Sequence, residues 1–132
     1  IGPVRRVAAY AAGRIAPEKL LLGIPNYGYD WTLPYVKGSR AENLGNEAAV
    51  RRAVYRGAEI RFDEDSQSPT YSYWEGKEEH RVWFEDARSI RAKLAVADEF
   101  ALRGVGYWNL MRPFRANWAW LTGRYDIRKA VR

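Results

Sequence analysis

Cysteine is absent from these 132 residues, and histidine and methionine occur once each. Without thiols there is no disulfide and no thiolate metal site. A lone His80 cannot build the histidine cluster a zinc site needs, so neither metal nor other cofactor is expected. The lack of cysteine fits a cytosolic protein or a bacterial exported one that does without disulfides. No apolar run approaches the roughly 20 residues that cross a bilayer, so no membrane span is expected. Ile1-Gly2-Pro3-Val4 has neither the basic start nor the apolar stretch of a signal peptide. It also lacks an initiator Met, and the chain is expected to belong to a longer protein. No phosphate-binding glycine loop occurs, neither G-x-x-x-x-G-K-[ST] nor G-x-G-x-x-G. The G-x-S-x-G nucleophile elbow is missing too. There is no internal repeat and no low-complexity segment.

The content that remains is that of one globular domain. Hydrophobic residues make up 47% of the chain, enough for a core, beside an ordinary 29% of charged residues. Net charge is +6, which favours acidic partners. The basic residues are scattered, however, in Arg5-Arg6, Arg51-Arg52 and Arg124/Arg128/Lys129/Arg132. Acidic runs, Asp63-Glu64-Asp65 and Glu78-Glu79, lie between them, and a solvated surface explains this spread. Six Trp and nine Tyr are a large aromatic complement. Their flat apolar faces and polar tips suit a core, an interface, or stacking on sugars and bases.

Periodicity orders the chain. Val4, Val7, Ala8, Ala11 and Ile15 fall at helical spacing, which predicts a helix over 3–15 with one buried stripe, opened by Pro3 and ended by Pro17. Leu20 to Pro25 is a continuous apolar run, as in a strand buried on both faces. A Gly/Tyr/Asp-rich loop, 26–31, is expected next. Asn46 is the expected cap of a short helix bearing Ala49, Val50, Ala53 and Val54, with Gly57 as its stop. Residues 58–85 alternate, and Tyr71-Ser72-Tyr73-Trp74 and Arg81-Val82-Trp83-Phe84 flank the turn Glu75-Gly76-Lys77, which predicts a small antiparallel sheet with a hairpin. Ile90, Leu94, Ala97 and Ala101 bring back helical spacing until Gly104. A second short run, Val105 to Leu110, and a last helix over 116–121 follow, then a frayed basic tail. Two strands joined through a helix form a crossover, parallel and right-handed. The insertion follows the C-terminal end of the first strand, where α/β barrels build their sites.

Three blocks in this order resemble one family. Lys19-Leu-Leu-Leu-Gly-Ile-Pro-Asn-Tyr-Gly-Tyr-Asp-Trp31 is similar to the seventh barrel strand of family 18 glycoside hydrolases, where K-[LI]-x-[LM]-G-[IV]-P-x-Y-G recurs. Trp83-Phe-Glu-Asp-Ala-Arg-Ser-Ile-Arg-Ala-Lys93 resembles the segment that closes the family's insertion. Arg103-Gly-Val-Gly-Tyr-Trp-Asn-Leu110 resembles the eighth strand. Tyr27 to Tyr35 resembles the bacterial spore-germination, cortex-lytic branch, often found with cell-wall-binding LysM repeats. The resemblance covers almost the whole chain. It implies an α/β fold: the last two βα units of a TIM-type barrel with an inserted α+β subdomain. Residues 1–37 would hold a helix, strand seven and its loop; 38–86 the insertion; and 87–132 the crossover helix, strand eight and a C-terminal helix. A whole barrel needs roughly 250 residues, so this would be an incomplete one. Its open strand edges are expected to swap with a second copy or to pair irregularly.

The resemblance also implies function. The longer protein would cut β-1,4 bonds in a polymer of N-acetylated sugars, peptidoglycan of the spore cortex or a chitin-like glycan. It would do so by substrate-assisted retention, in a bacterial spore, cell envelope or extracellular setting. The family's acid lies in D-x-x-D-x-D-x-E on strand four, and no stretch here matches it. No catalytic residue is therefore expected in this chain, which alone should be inactive. What it would bring is a glycan-binding wall. Trp108 matches the eighth-strand Trp under the reacting sugar, against the plainer reading of a core Trp. Tyr27 would line the same cleft or simply pack at the rim, and Asp30 and Trp31 enter the insertion. Tyr71, Tyr73 and Trp83 would form a side wall, together with Trp74 if the sheet presents that face; one face must pack on the insertion's own helix. Asp86 reads as a helix cap, and His80, between Glu79 and Arg81, as solvent-facing. Two other functions stay open: a stand-alone carbohydrate-binding module, which the buried-type strands oppose, and a basic, aromatic nucleic-acid binder. Nucleic acid is not the expected partner, because the aromatics sit among acidic residues.

Overall fold

A computed structural model of the chain describes residues 1–109 and 111–128. Leu110, at the end of the third family-like block, and Lys129 and Arg132 of the basic tail lie outside the described residues. In chain order the elements are α1 (Gly2–Ala12), a 3₁₀ turn (Pro17–Lys19), β1 (Leu21–Pro25), β2 (Gly28–Leu33), β3 (Glu42–Leu44) and α2 (Asn46–Arg56). Then come β4 (Arg61–Asp63), β5 (Ser68–Glu75), β6 (Glu78–Trp83), α3 (Ala87–Glu99), β7 (Gly104–Trp108) and α4 (Arg115–Arg124).

The strands form two sheets. β1 and β7 pair in parallel, from Leu21 opposite Gly104 to Pro25 opposite Trp108. The register is unbroken, so the expected irregular pairing is not found. Leu22 and Ile24 of β1 and Val105 and Tyr107 of β7 pack with Ile90 and Leu94 of α3 and with Phe114 and Leu121 near and within α4. The other face is open. Leu21 is 62% exposed while Ile24 is fully buried, so β1 is covered on one side, not on both as its apolar run suggests. The helices reach only one face of the pair, and Leu21, Gly23, Gly106 and Trp108 alternate onto the other.

The second sheet is antiparallel, in the order β3-β2-β6-β5-β4. Two features depart from the sequence reading. The segment expected to be a loop is largely β2, and it runs beside β6 from Tyr29 opposite Trp83 to Leu33 opposite Glu79. Asn46 is not a cap. Gly45 takes that place, and Asn46 starts α2 with its side chain buried and bonded elsewhere. The hairpin turns at Gly76, whose φ of 61° lies in the left-handed region open to glycine.

Helix α2 ends, as its sequence suggests, on Gly57 at a φ of 62°. α3 begins with a capping box: the Asp86 carboxylate accepts from the N–H groups of Arg88 and Ser89, and the Asp86 N–H donates to Ser89 Oγ. It stops at Glu99, well before Gly104. α1 stops at Ala12 rather than at 15, and only Ala8 of its predicted stripe is buried. A polar tie joins it to α3. Arg5 pairs with Glu99 of α3 at 2.9 Å.

Candidate functional site

Alternation along β2 sends Gly28, Asp30 and Thr32 to one face of the five-stranded sheet, and Tyr29, Trp31 and Leu33 to the other. Register carries the division across the sheet. Arg81 stands between Trp31 and Ser72, and His80 between Thr32 and Tyr73. Helix α2 covers the face that holds Asp30, and the opposite face is open.

The covered face is a polar network set in an apolar cluster. Leu44, Ala49, Ala53, Tyr71, Tyr73, Val82 and Phe84 form the cluster. Within it the Asp30 carboxylate, 1% exposed, meets three partners. Tyr73 Oη donates to Oδ2 at 2.6 Å, and Arg52 Nη1 of α2 donates to the same oxygen at 2.5 Å. His80 Nδ1 lies 2.9 Å from Oδ1. The His80 ring stacks on Tyr73 with centroids 4.7 Å apart. Arg52 extends its fork to both oxygens of Glu42, at 2.8 and 2.7 Å. That hydrogen bond holds Glu42 below its usual range, against a smaller opposing effect of burial. Burial first, then the bond to Asp30, pushes the Tyr73 phenol up to about 12. Tyr71, also pushed up by burial, donates to the Ala49 carbonyl at 2.8 Å.

Three expected ligand contacts therefore move. Asp30, Tyr71 and Tyr73 lie under α2, where their polar atoms already have partners. His80 is not solvent-facing; the Asp30 carboxylate and the Tyr73 ring draw it inward, though its chain neighbours are charged.

The open face carries an aromatic row. Tyr27, Tyr29, Trp31 and Tyr35 follow one another at centroid distances of 5.6, 6.0 and 5.7 Å. Trp83 sits beside Tyr29 on β6. Trp31, Leu33, Tyr35, Arg81 and Trp83 line a shallow, open cleft of about 270 Å³. A polar groove of about 420 Å³ adjoins it, with Glu59, Arg61, Thr70, Ser72, Glu79 and Arg81 in its walls. Trp74, at the far end of β5, is exposed on this same face.

The row starts where the two sheets meet, at the C-terminal ends of β1 and β7. Trp108 is 71% exposed there, on the face away from the helices, so it does not fill the core between sheet and helix. The Trp108–Asn109 peptide is cis. Asn26 holds this corner. Its N–H donates to the Trp108 carbonyl at 2.8 Å, and its Nδ2 to the carbonyls of Asn109 and Arg112 at 3.2 and 2.7 Å. Asn46 Nδ2 donates to Asn26 Oδ1 at 3.4 Å, and Asn46 Oδ1 accepts the Glu85 N–H at 2.9 Å. The Glu85 carboxylate is buried against Ser89 Oγ at 2.5 Å and Lys93 Nζ at 2.8 Å. Burial raises its pKa despite those two partners. Tyr27 is raised too, by burial and then by Tyr29. Gly28 allows the close crossing of the chains: a Cβ there would meet the Trp83 carbonyl oxygen at 2.5 Å and Phe84 Cβ at 2.6 Å.

Of the expected site residues, the structure brings Tyr27, Trp31 and Trp83 to the open aromatic face and Trp108 to its edge. Tyr29, Tyr35 and Arg81 join them without having been anticipated. The alternating aromatics of 27–31 were the available signal, obscured by reading that stretch as a loop. Among the described residues no group of acidic side chains and histidine is placed to hold a metal ion, and no helix is long and apolar enough to cross a membrane.

Comparison with known proteins adds a second kind of observation. The family model described as glycosyl hydrolases family 18 matches residues 4–112. A cortical fragment-lytic enzyme of Bacillus subtilis (strain 168) is 40% identical over 131 residues, which is 98% of this chain and 30% of that protein. A putative sporulation-specific glycosylase, YdhD, of the same organism is 34% identical over 131 residues, 98% of this chain and 31% of the relative. The crystal structure of the spore cortex-lytic enzyme SleL of Bacillus megaterium QM B1551 superposes with a TM-score of 0.91 at 40% identity, covering 98% of this chain and 31% of the other. The chain thus spans about 30% of the length of the curated relatives it matches.

Proposed function

The chain belongs to the glycosyl hydrolases of family 18, and from that premise we propose that it supplies part of the glycan-binding wall of such an enzyme. The observation that carries this reading is the aromatic row that begins at Tyr27 and runs out over Tyr29, Trp31 and Tyr35. Indole and phenol rings gathered along one open face, turned edge to face or tilted, offer apolar surface against which sugar rings can pack. The matched relatives are named as cortex-lytic or sporulation-specific glycosylases, so the polymer we propose is an N-acetylated glycan of the spore cortex, with chitin as the neutral relative of the same chemistry. A bacterial spore or envelope is the matching location. Trp108, Tyr27, Trp31 and Trp83, with Tyr29 and Tyr35, are the residues we assign to the wall.

The parallel pair β1 and β7, with α3 between them in sequence, corresponds in this proposal to the last two units of a TIM-type barrel. The exposed face of Leu21 and Gly106 turns toward the other strands. The inserted subdomain then begins at β2 rather than at residue 38 and ends near Asp86. The general acid of the hydrolysis lies outside these residues, since no D-x-x-D-x-D-x-E occurs in them, and substrate-assisted cleavage of the β-1,4 bond belongs to the longer protein. The open edges of β1 and β7 make self-association of the chain alone the expected state, visible as a concentration-dependent mass in light scattering.

Sedimentation of the chain with insoluble cortex peptidoglycan and with chitin tests the wall. Binding should be lost stepwise in Trp31→Ala and Trp108→Ala, with the circular dichroism of the folded chain retained. Unchanged binding in both variants would remove the assignment. Strong, steeply salt-dependent binding to single-stranded nucleic acid with none to either glycan would favour the basic aromatic alternative.

A further inference from the structure

The strand pair and the inserted sheet meet at two buried carboxamides. Asn26 follows β1 and is 1% exposed; Asn46 opens α2 and is 2% exposed. A carboxamide offers two N–H donors and one carbonyl acceptor, and Asn26 uses all three. Its Nδ2 donates to the carbonyls of Asn109 and Arg112 at 3.2 and 2.7 Å, and its Oδ1 accepts from Asn46 Nδ2 at 3.4 Å. Turned over, the group would set its oxygen against two carbonyl oxygens and its nitrogen against the Asn46 donor. Asn46 is itself fixed from the far end of the insertion, because its Oδ1 accepts the Glu85 N–H at 2.9 Å. The bonds of Asn26 fall on both sides of Trp108. On one side Trp108 stands opposite Pro25 in the parallel ladder, and its carbonyl accepts the Asn26 N–H at 2.8 Å. On the other side the carboxamide holds Asn109 and Arg112. The indole is 71% exposed, so packing around it does not aim it; the backbone that carries it does.

We propose that Asn46 is a positioning residue for the glycan wall: acting through Asn26, it lets the docked insertion set the direction of the Trp108 indole. This role rests on the glycan-wall reading and adds how two separate sheets come to present one surface. Asn46 itself touches no sugar. Removing its donor leaves the buried Asn26 oxygen unpaired and frees the carboxamide, and the two carbonyls it holds, to shift. With the donor in place, Trp108 of the strand pair and the aromatic row of the insertion meet a glycan strand at a fixed offset.

Fluorine NMR of the full chain labelled with fluorotryptophan tests this. The six tryptophans give six signals, and that of Trp108 is the one missing in Trp108→Phe. Asn46→Ala removes both bonds of the side chain. Asn46→Asp keeps its shape and an oxygen for the Glu85 N–H, and at neutral pH removes only the donor to Asn26. In each variant that urea unfolding shows to be folded, the Trp108 signal should move or split while those of Trp31 and Trp83 stay in place. A Trp108 signal that does not move overturns the proposal. So do Trp31 and Trp83 signals that move as far, since they would report a general loosening of the insertion. Calorimetry with a chito-oligosaccharide should show binding weakened about fivefold in the same variants, as for residues that share one bonded network. That loss should shrink to within about twofold when Trp108→Phe is already present; a fully additive loss overturns the proposal. The unaltered chain supplies a further check, because coupling is reciprocal: the bound oligosaccharide should shift the Asn46 carboxamide resonances, and their constancy at saturation overturns the proposal without any variant. An unaltered chain that binds neither chito-oligosaccharide nor peptidoglycan removes the wall reading and this role with it, whereas normal glycan binding beside an unmoved Trp108 signal removes the role alone.

Discussion

The two faces of the five-stranded sheet use the same residue types for opposite ends. On each, tyrosine and an arginine surround a polar centre. Under α2 the acid is the protein's own: Asp30 satisfies Arg52, Tyr73 and His80, and nothing is left over for a ligand. On the open face the aromatics follow one another edge to face or tilted in a row, and Arg81 is bonded to Ser72 and makes no ion pair among the described residues. The lesson is that aromatic and charged content does not identify a binding surface. What separates the faces is cover: the polar groups under α2 are bonded to one another, whereas Tyr29 and Tyr35 of the open face are exposed.

The sharpest way to break this contrast is to remove Asp30. Asp30→Ala takes the acceptor from a buried phenol and a part-buried imidazole while Arg52 keeps Glu42, and should cost about 3 kcal/mol in urea unfolding, at about 1–3 kcal/mol for each polar group left without its partner. A loss under about 1 kcal/mol would mean the network is not structural. Gly28→Ala comes next. Its methyl group would enter the Trp83 carbonyl and Phe84, and about 1–3 kcal/mol of thermal stability should go with the forced backbone shift. Tyr73→Phe removes one of three partners from Asp30 and should cost about 1 kcal/mol. On the open face, Trp31→Ala should leave stability within about 0.5 kcal/mol while weakening glycan binding about tenfold. A variant that lost both together would erase the distinction between the faces.

A last prediction uses pH. Burial raises the Glu85 pKa in the folded chain above its ordinary value of 4.5. The folded state then holds its proton more tightly than the unfolded state does, so this group's contribution to stability falls as pH rises from about 4.5 through the raised value. Glu85→Gln, although weakened throughout by leaving Lys93 without its anion, should lack that fall. Parallel unfolding curves of the two proteins over this window would contradict it.

Much of this division could be read from residue order. The alternation of Tyr71, Tyr73 and Trp74 placed the two tyrosines together and the indole opposite, and Asp86 declared itself as a cap. The direction of the faces could not be read, because what decides it is α2, packed from the far side of a loop. The same gap explains Asp30 and His80. Each has polar neighbours in the chain, and only the register of β2 on β6 and β5 reveals that they meet. β1 failed for a different reason. Its apolar run describes a strand with two covered faces, and the described residues cover one.

Asn26 has a consequence for how the chain folds. Its carboxamide is satisfied by residues 83 and 86 positions away in one direction and 20 positions away in the same direction through Asn46. The bonds to the carbonyls of Asn109 and Arg112 cannot form until the last strand has returned. Contacts of such long range are the slow ones, since the loop must close before they contribute. A side chain that waits for both sheets makes their docking a late and shared event, so refolding should follow the pace of the long return and not that of the hairpin.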